Sequence, residues 1–168
     1  VTISFTEQQA FKALRAFILS VLPGSVEVIQ TQNNRVPQPT GNNWVGMTAT
    51  SRNQLSSSYR DGDPLADAML TARSTGLGFT LDVYGPDSTD NAQIIATLLR
   101  DEYGCRFMEP YGCQPLYCND GNQMPLLNGE AQYEQRWMLQ VMLQANPYVS
   151  TPAQFPAKVD VQFFRADE

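Results

Sequence analysis

Two hydrophobic rhythms divide the chain. Ala10, Phe11, Leu14, Phe17, Ile18, Val21 and Leu22 recur at three-to-four spacing, which predicts a helix over residues 6–22 with one apolar stripe to bury. Thr6 opens it with Gln9 three positions later, the spacing at which each side chain satisfies the other's orphan backbone N–H in a capping box. Pro23-Gly24 ends the pattern. The period then drops to two. Val26 and Val28 flank Glu27; Val45, Met47 and Ala49 alternate with Gly46, Thr48 and Thr50; Leu77, Phe79, Leu81 and Val83 alternate with Gly78, Thr80 and Asp82. Each of these three runs predicts a strand.

The last of them runs into Gly85-Pro86 and then a second helical pattern over 88–103, with Asp87 or Ser88 as cap and Asp90 beside the positive helix end. Ile94, Ile95, Leu98, Leu99 and Tyr103 are its expected buried face, and Gly104 its expected stop. Residues 105–130 are broken by glycine and proline and suit short irregular strands, with Asp120-Gly121 as a hairpin signal. In AQYEQRWMLQVMLQA, residues 131–145, Tyr133, Trp137, Leu139, Val141 and Leu143 form one alternate set, the mark of a long late strand. A helix competes, because Tyr133, Trp137, Val141 and Gln144 also share a helical face, but the strand is preferred. Residues 146–158 read as extended because of their prolines, and Val159, Val161 and Phe163 alternate in a terminal strand.

The sum is an α+β fold: a mixed, mainly antiparallel β-sheet packed by two amphipathic helices (about 6–22 and 88–103), with a long late strand and a C-terminal strand. One domain over 1–168 is expected. From it, 52–70 (RNQLSSSYRDGDPLADAML) projects as a loop or hairpin, and 146–168 forms an extended C-terminal arm ending in a strand.

Charge and residue inventory then remove most chemistry. A formal net charge of −6 argues against grip on nucleic acid, and the arginines, Arg52, Arg60 and Arg73 among them, are scattered singly with no basic face in the sequence. No apolar run approaches the ~20 residues of a membrane span, and no basic stretch with an apolar region marks a secretory signal, so the chain reads as soluble, without membrane contact. The count of histidines is 0, which removes Ser-His-Asp and Cys-His arrangements and the commonest metal ligand together.

Cys105, Cys113 and Cys118 lack the close pairing of zinc sites and are an odd number for a disulfide framework, so reduced thiols are the simplest account. Asp61, Asp63 and Asp67 lack the glycine position and closing glutamate of a calcium loop. Gly76-Leu77-Gly78 lies inside a strand and has no third glycine, so close backbone packing explains it better than a dinucleotide. Glu109, Glu130 and Glu134 are nominal carboxylates for glycoside hydrolysis, yet nothing singles out a pair. The expectation is no catalytic residue, no cofactor and no metal.

What remains is the polar segment between the first two strands, QNNRVPQP, and the turn YGPDS before the second helix. With the N-terminal amphipathic helix, the strand from Trp44, the strand-turn-helix GFTLDVYGPDSTDNAQIIATLL and the long late strand, they resemble the tailed-phage neck, or tail terminator, family over most of residues 5–145. The resemblance implies a non-enzymatic virion protein, assembled in the host cytoplasm, that forms a homo-oligomeric ring, a hexamer, in the neck. There it would cap the tail tube, end its polymerisation and join the tail to the head connector. Tail tube protein, a neck or connector protein and the tail sheath are the implied partners, and DNA would pass through the lumen without specific binding.

Pro37 and Pro39 fix two φ angles in the QNNRVPQP segment, and its Asn and Gln side chains offer donors and acceptors without charge, which reads as a semi-rigid surface. Gln32, Asn33, Pro37, Pro39, Tyr59, Arg60, Phe163 and Phe164 are the expected subunit or partner interface. Rival readings are another virion joint, such as a head-completion stopper or baseplate protein, and a carboxylate-based cell-wall hydrolase.

Overall fold

The computed structural model describes residues 1–32, 37, 39–63, 67–127 and 133–155. In chain order these form β1 (Thr2–Ile3), α1 (Glu7–Val21), β2 (Glu27–Gln30), β3 (Trp44–Gln54), β4 (Tyr59–Asp63), β5 (Ala68–Ala72) and β6 (Thr75–Tyr84). There follow α2 (Ser88–Leu99), α3 (Glu102–Met108), a 3-10 turn (Glu109–Tyr111), β7 (Cys113–Cys118), β8 (Asn122–Gln123), β9 (Leu126–Leu127), β10 (Tyr133–Glu134), β11 (Arg136–Ala145) and β12 (Tyr148–Pro152). The fold is α+β. The predicted terminal strand over Val159–Phe163 lies outside the described residues.

The main sheet has the order β2-β3-β6-β11-β7, with β8 also on β11. Its β2–β3 pair is parallel, while β3–β6, β6–β11 and β11–β7 are antiparallel. Period-two patterning sets the register. Val45, Val83 and Trp137 align across three strands, as do Met47, Leu81 and Leu139, then Ala49, Phe79 and Val141. These rows form one face and, with Ala49 and Trp137 only partly buried at its margin, join Phe11, Leu14, Phe17 and Ile18 of α1 and Ile95 and Leu99 of α2 in a single buried cluster. The capping box opens α1 as expected: Gln9 N–H donates to Thr6 Oγ1 and Thr6 N–H to Gln9 Oε1.

Beyond the far ends of β3, β6 and β11, a second antiparallel sheet continues in the order β1-β12-β5-β4. Arg52–Gln54, read from the sequence as the start of a loop, instead extend β3, and β4 pairs with β5 as a hairpin. Phe155 then packs back over β4: a Cβ on Gly62 would stand 2.7 Å from its ring.

The structure corrects the sequence reading around the second helix. α2 ends at Leu99, and Asp101 restarts the chain as the cap of α3, its Oδ1 accepting from Tyr103 N–H at 2.9 Å. Gly104 is therefore not a stop. It sits inside α3 where a Cβ would lie 2.7 Å from the Leu98 carbonyl, so it permits α3 to cross the end of α2. Residues 105–111 are helical rather than strand-like. Tyr103 and Ile94 are exposed, whereas Met108 is buried. Asp87 occupies the α2 cap position without a side-chain capping bond, because its carboxylate is engaged elsewhere.

Nor does Asp120-Gly121 turn a hairpin. β7 and β8 lie along the same edge of β11, one after the other, with Cys118 opposite Val141 and Gln123 opposite Trp137. Arg100 holds the excursion between them, donating to the Cys118 carbonyl and pairing with Asp120 at 2.9 Å.

Phe17 is fully buried and meets Phe107 edge-on at 5.6 Å, so α3 rests on it. Phe17→Ala is expected to cost about 3–5 kcal/mol, as for other buried aromatics. Ile94→Ala at the exposed face of α2 should cost less than about 1 kcal/mol. Urea unfolding of both variants checks this ranking.

Candidate functional site

A parallel strand pair cannot be closed by a tight turn, and needs a crossover of about a dozen residues. Because Glu27 lies opposite Trp44, the chain that leaves β2 at Gln30 must travel back along β2 before β3 begins. Gln32, Pro37 and Pro39, the described residues of QNNRVPQP, lie on that return path. It leaves with Thr31 bonded twice to the Met47 carbonyl, through N–H at 2.9 Å and Oγ1 at 3.1 Å. Gln32 then takes φ +61°, a left-handed turn that few non-glycine residues adopt.

The far end of the path is tied at two places. Glu27 Oε1 accepts three bonds, from Thr40 N–H at 3.1 Å, Thr40 Oγ1 at 3.2 Å and Gly41 N–H at 2.7 Å. Bonds to a carboxylate are about twice as strong as neutral ones, so this glutamate acts as the inner clamp. Asn43 supplies the outer one. Its Nδ2 donates to Asp87 Oδ2 at 2.8 Å, and its Oδ1 accepts from Asp87 N–H at 3.1 Å. Crossover and YGPDS turn, far apart in sequence, are thereby locked together.

The lock requires Gly85. It has φ +107°, and a Cβ there would fall 2.2 Å from the Asn42 carbonyl oxygen and 2.4 Å from Asn43 Oδ1. Conformation and space both exclude a side chain. Gly85 N–H also donates to the Gln135 carbonyl at 3.2 Å, so the residues just before β11 join the same corner.

The three segments enclose a cleft of about 530 Å³ lined by Pro39, Trp44, Tyr84, Pro86, Glu134 and Gln135, among others. In its wall Trp44 and Tyr84 stack at 3.8 Å with 11° between ring planes. The Arg136 guanidinium lies over the same Tyr84 ring at 5.7 Å. These residues align across β3, β6 and β11, one register step from the core row. Arg136 is oriented by Asp82, whose Oδ1 accepts from Nε at 2.9 Å and from Nη2 at 2.7 Å. Burial works against the Arg136 charge, but the hydrogen bond to Asp82, the Asp82 charge and Tyr84 together outweigh it and raise the guanidinium's pKa. Burial also raises the Tyr84 hydroxyl, with Arg136 opposing. Tyr84 is neutral at physiological pH.

The sequence-predicted interface residues fall into two groups. Pro39 lines the cleft, and Gln32 and exposed Pro37 lie on the crossover leading to it. Tyr59, 63% exposed, and Arg60 sit on β4 in the second sheet, beyond the other end of β3. The structure does not bring the two groups together. Asn33, Phe163 and Phe164 lie outside the described residues. Sequence reasoning missed Glu27, Asn43, Trp44, Tyr84 and Asp87 as partners. Gly85-Pro86 was the available signal, since a glycine directly after a strand marks a backbone that comes close to something.

Among the described residues no cluster of His, Cys, Asp and Glu is placed to hold a metal ion, and no helix is long and apolar enough to cross a membrane. All three cysteines are free. What the corner offers is a rigid, hydrogen-bonded rim around an aromatic cleft.

Residues 8–167 match the family of phage neck terminator proteins, and the chain belongs to that family. Among solved structures it is similar to the sheath/tube terminator of an extracellular contractile injection system, PVC, determined by cryo-EM in the extended state. The TM-score is 0.50 at 11% identity, and the match covers 98% of this chain and 65% of that one, so the chain spans under two thirds of the neighbour's length. The likeness is one of fold. No curated protein matches the chain.

Burial pushes the thiols of Cys113 and Cys118 up to about 11. Both should stay protonated and shielded at pH 8, while Cys105, which is less buried, reacts. Native-state alkylation followed by mass spectrometry is expected to label Cys105 alone, and all three only after unfolding.

Proposed function

We propose that this chain is a structural, non-enzymatic component that assembles as one folded unit into a ring, a hexamer, at the head-proximal end of the phage tail tube. The ring ends tube polymerisation and joins the tail to the head connector. The observation that carries this reading is the family match over residues 8–167, nearly the whole chain. The fold shared with a sheath/tube terminator supports it and adds the tail sheath as a partner beside the tube.

The corner built by Glu27, Asn43, Gly85 and Asp87 fits a docking role. A rim held by this many bonds loses little conformational entropy when a partner covers it. Gln32, Pro37 and Pro39 on the crossover are the residues that would face that partner, and Tyr59 and Arg60 would serve a separate contact. A net charge of −6 suits a ring whose lumen lets DNA slide without holding it.

Tails assembled without this protein, and imaged by negative stain, should carry tubes that overrun their normal length and fail to join heads. Adding the purified chain should restore both. Tubes of normal length in its absence would sink the terminator role.

A further inference from the structure

Arginines that stand isolated in the sequence are gathered by strand pairing. Ile3 of β1, Val149 of β12, Thr71 of β5 and Arg60 of β4 form one cross-strand row, and such partners share a face. The first three line a groove of about 270 Å³ together with Arg52, Arg73, Ser58 and Pro147. Arg52 belongs to β3, so the groove lies where the main sheet gives way to the second one. Arg60 continues the row beyond it on the same side.

All three arginines are exposed, and among the described residues none makes an ion pair. Arg73 Nη1 donates to Gln54 Oε1 at 3.5 Å, a long bond to a neutral partner that leaves its charge uncompensated. Asp61, next to Arg60 on the strand, belongs to the opposite face. Among the described residues no carboxylate lines the groove. A cleft of one charge sign concentrates its field, so this one attracts anions despite the net charge of −6.

Shape and lining say which anion. Four strands at about 4.8 Å spacing make the row roughly 14 Å long, the reach of about four extended residues at about 3.3 Å each. We propose that the groove docks a short, extended, acidic segment of another protein. Arg52, Arg73 and Arg60 take its carboxylates, for which the planar fork of the guanidinium is suited, and Ser58 and Thr71 add hydroxyls. Ile3, Pro147 and Val149 receive the apolar side chains between the acids. Duplex DNA is the other occupant a basic groove attracts, but its grip comes from many cations along one track, and it gains nothing from this apolar lining. The groove stands apart from the aromatic cleft and needs no ring to form, so this proposal and the ring reading can fail separately.

Fluorescence anisotropy of a dye-labelled peptide of about five residues, glutamate alternating with valine, titrated with the full-length protein, tests this. Binding should saturate, weaken about tenfold or more in R52Q/R73Q and by less in R60Q, and fall as salt rises, since exposed pairs are screened. The same peptide with glutamine for glutamate should not bind. None of the three arginines is in the core, and thermal melts should match wild type. A glutamate peptide that does not bind, a glutamine peptide that binds as well, or binding untouched in R52Q/R73Q overturns the proposal. So does a duplex oligonucleotide that displaces the peptide at equal concentration and loses its own binding in R52Q/R73Q, which would make the groove a phosphate site.

Discussion

Parallel pairing of β2 with β3 obliges the chain to retrace the strand it has just left, and the corner at the cleft follows from that obligation. Polar backbone on such a path must find partners or stay solvated. At the outgoing end the partner is the Met47 carbonyl; at the returning end it is the Glu27 carboxylate, which binds the path to the strand it overlies. The crossover is thus tied to both members of the strand pair that made it necessary.

The same corner joins the two halves of the chain. Asn43 and Asp87 exchange hydrogen bonds over an interval of 44 residues, and Gly85 provides the close approach that makes this exchange reachable. Behind them, Trp44, Tyr84 and Arg136 stack in register across three strands, with Asp82 fixing the guanidinium. An aromatic pair of this kind is worth about 0.5–1.5 kcal/mol beyond its buried area. The Arg136–Asp82 pair is mostly buried, so loss of either partner would leave a costly unpaired charge. The rim is therefore held by the sheet itself.

Much of the fold was legible because burial enforces periodicity. Leu139, Val141 and Leu143 on β11, and Leu77, Phe79, Leu81 and Val83 on β6, are buried where alternation puts them, and Thr6 with Gln9 caps α1. The misses came where a local signal had two physical meanings. Gly104 looks like a helix end but is needed for helix crossing, and Asp120-Gly121 looks like a hairpin but bridges two pieces of one edge strand. The site was half legible. QNNRVPQP and YGPDS were each marked as special, yet nothing in a linear reading said that they touch. Parallel pairing of β2 and β3 has no alternation signature of its own.

The central claim is that the crossover and the turn are one interlocked surface and that this surface does the terminating. Gly85→Ala tests it most directly, read by hydrogen exchange of the variant and by its capping of tail tubes in vitro. The account predicts faster exchange confined to residues 39–43 and 85–88, unchanged protection in β6 and β11, and tubes that overgrow. Slow exchange at the corner with normal capping would contradict it.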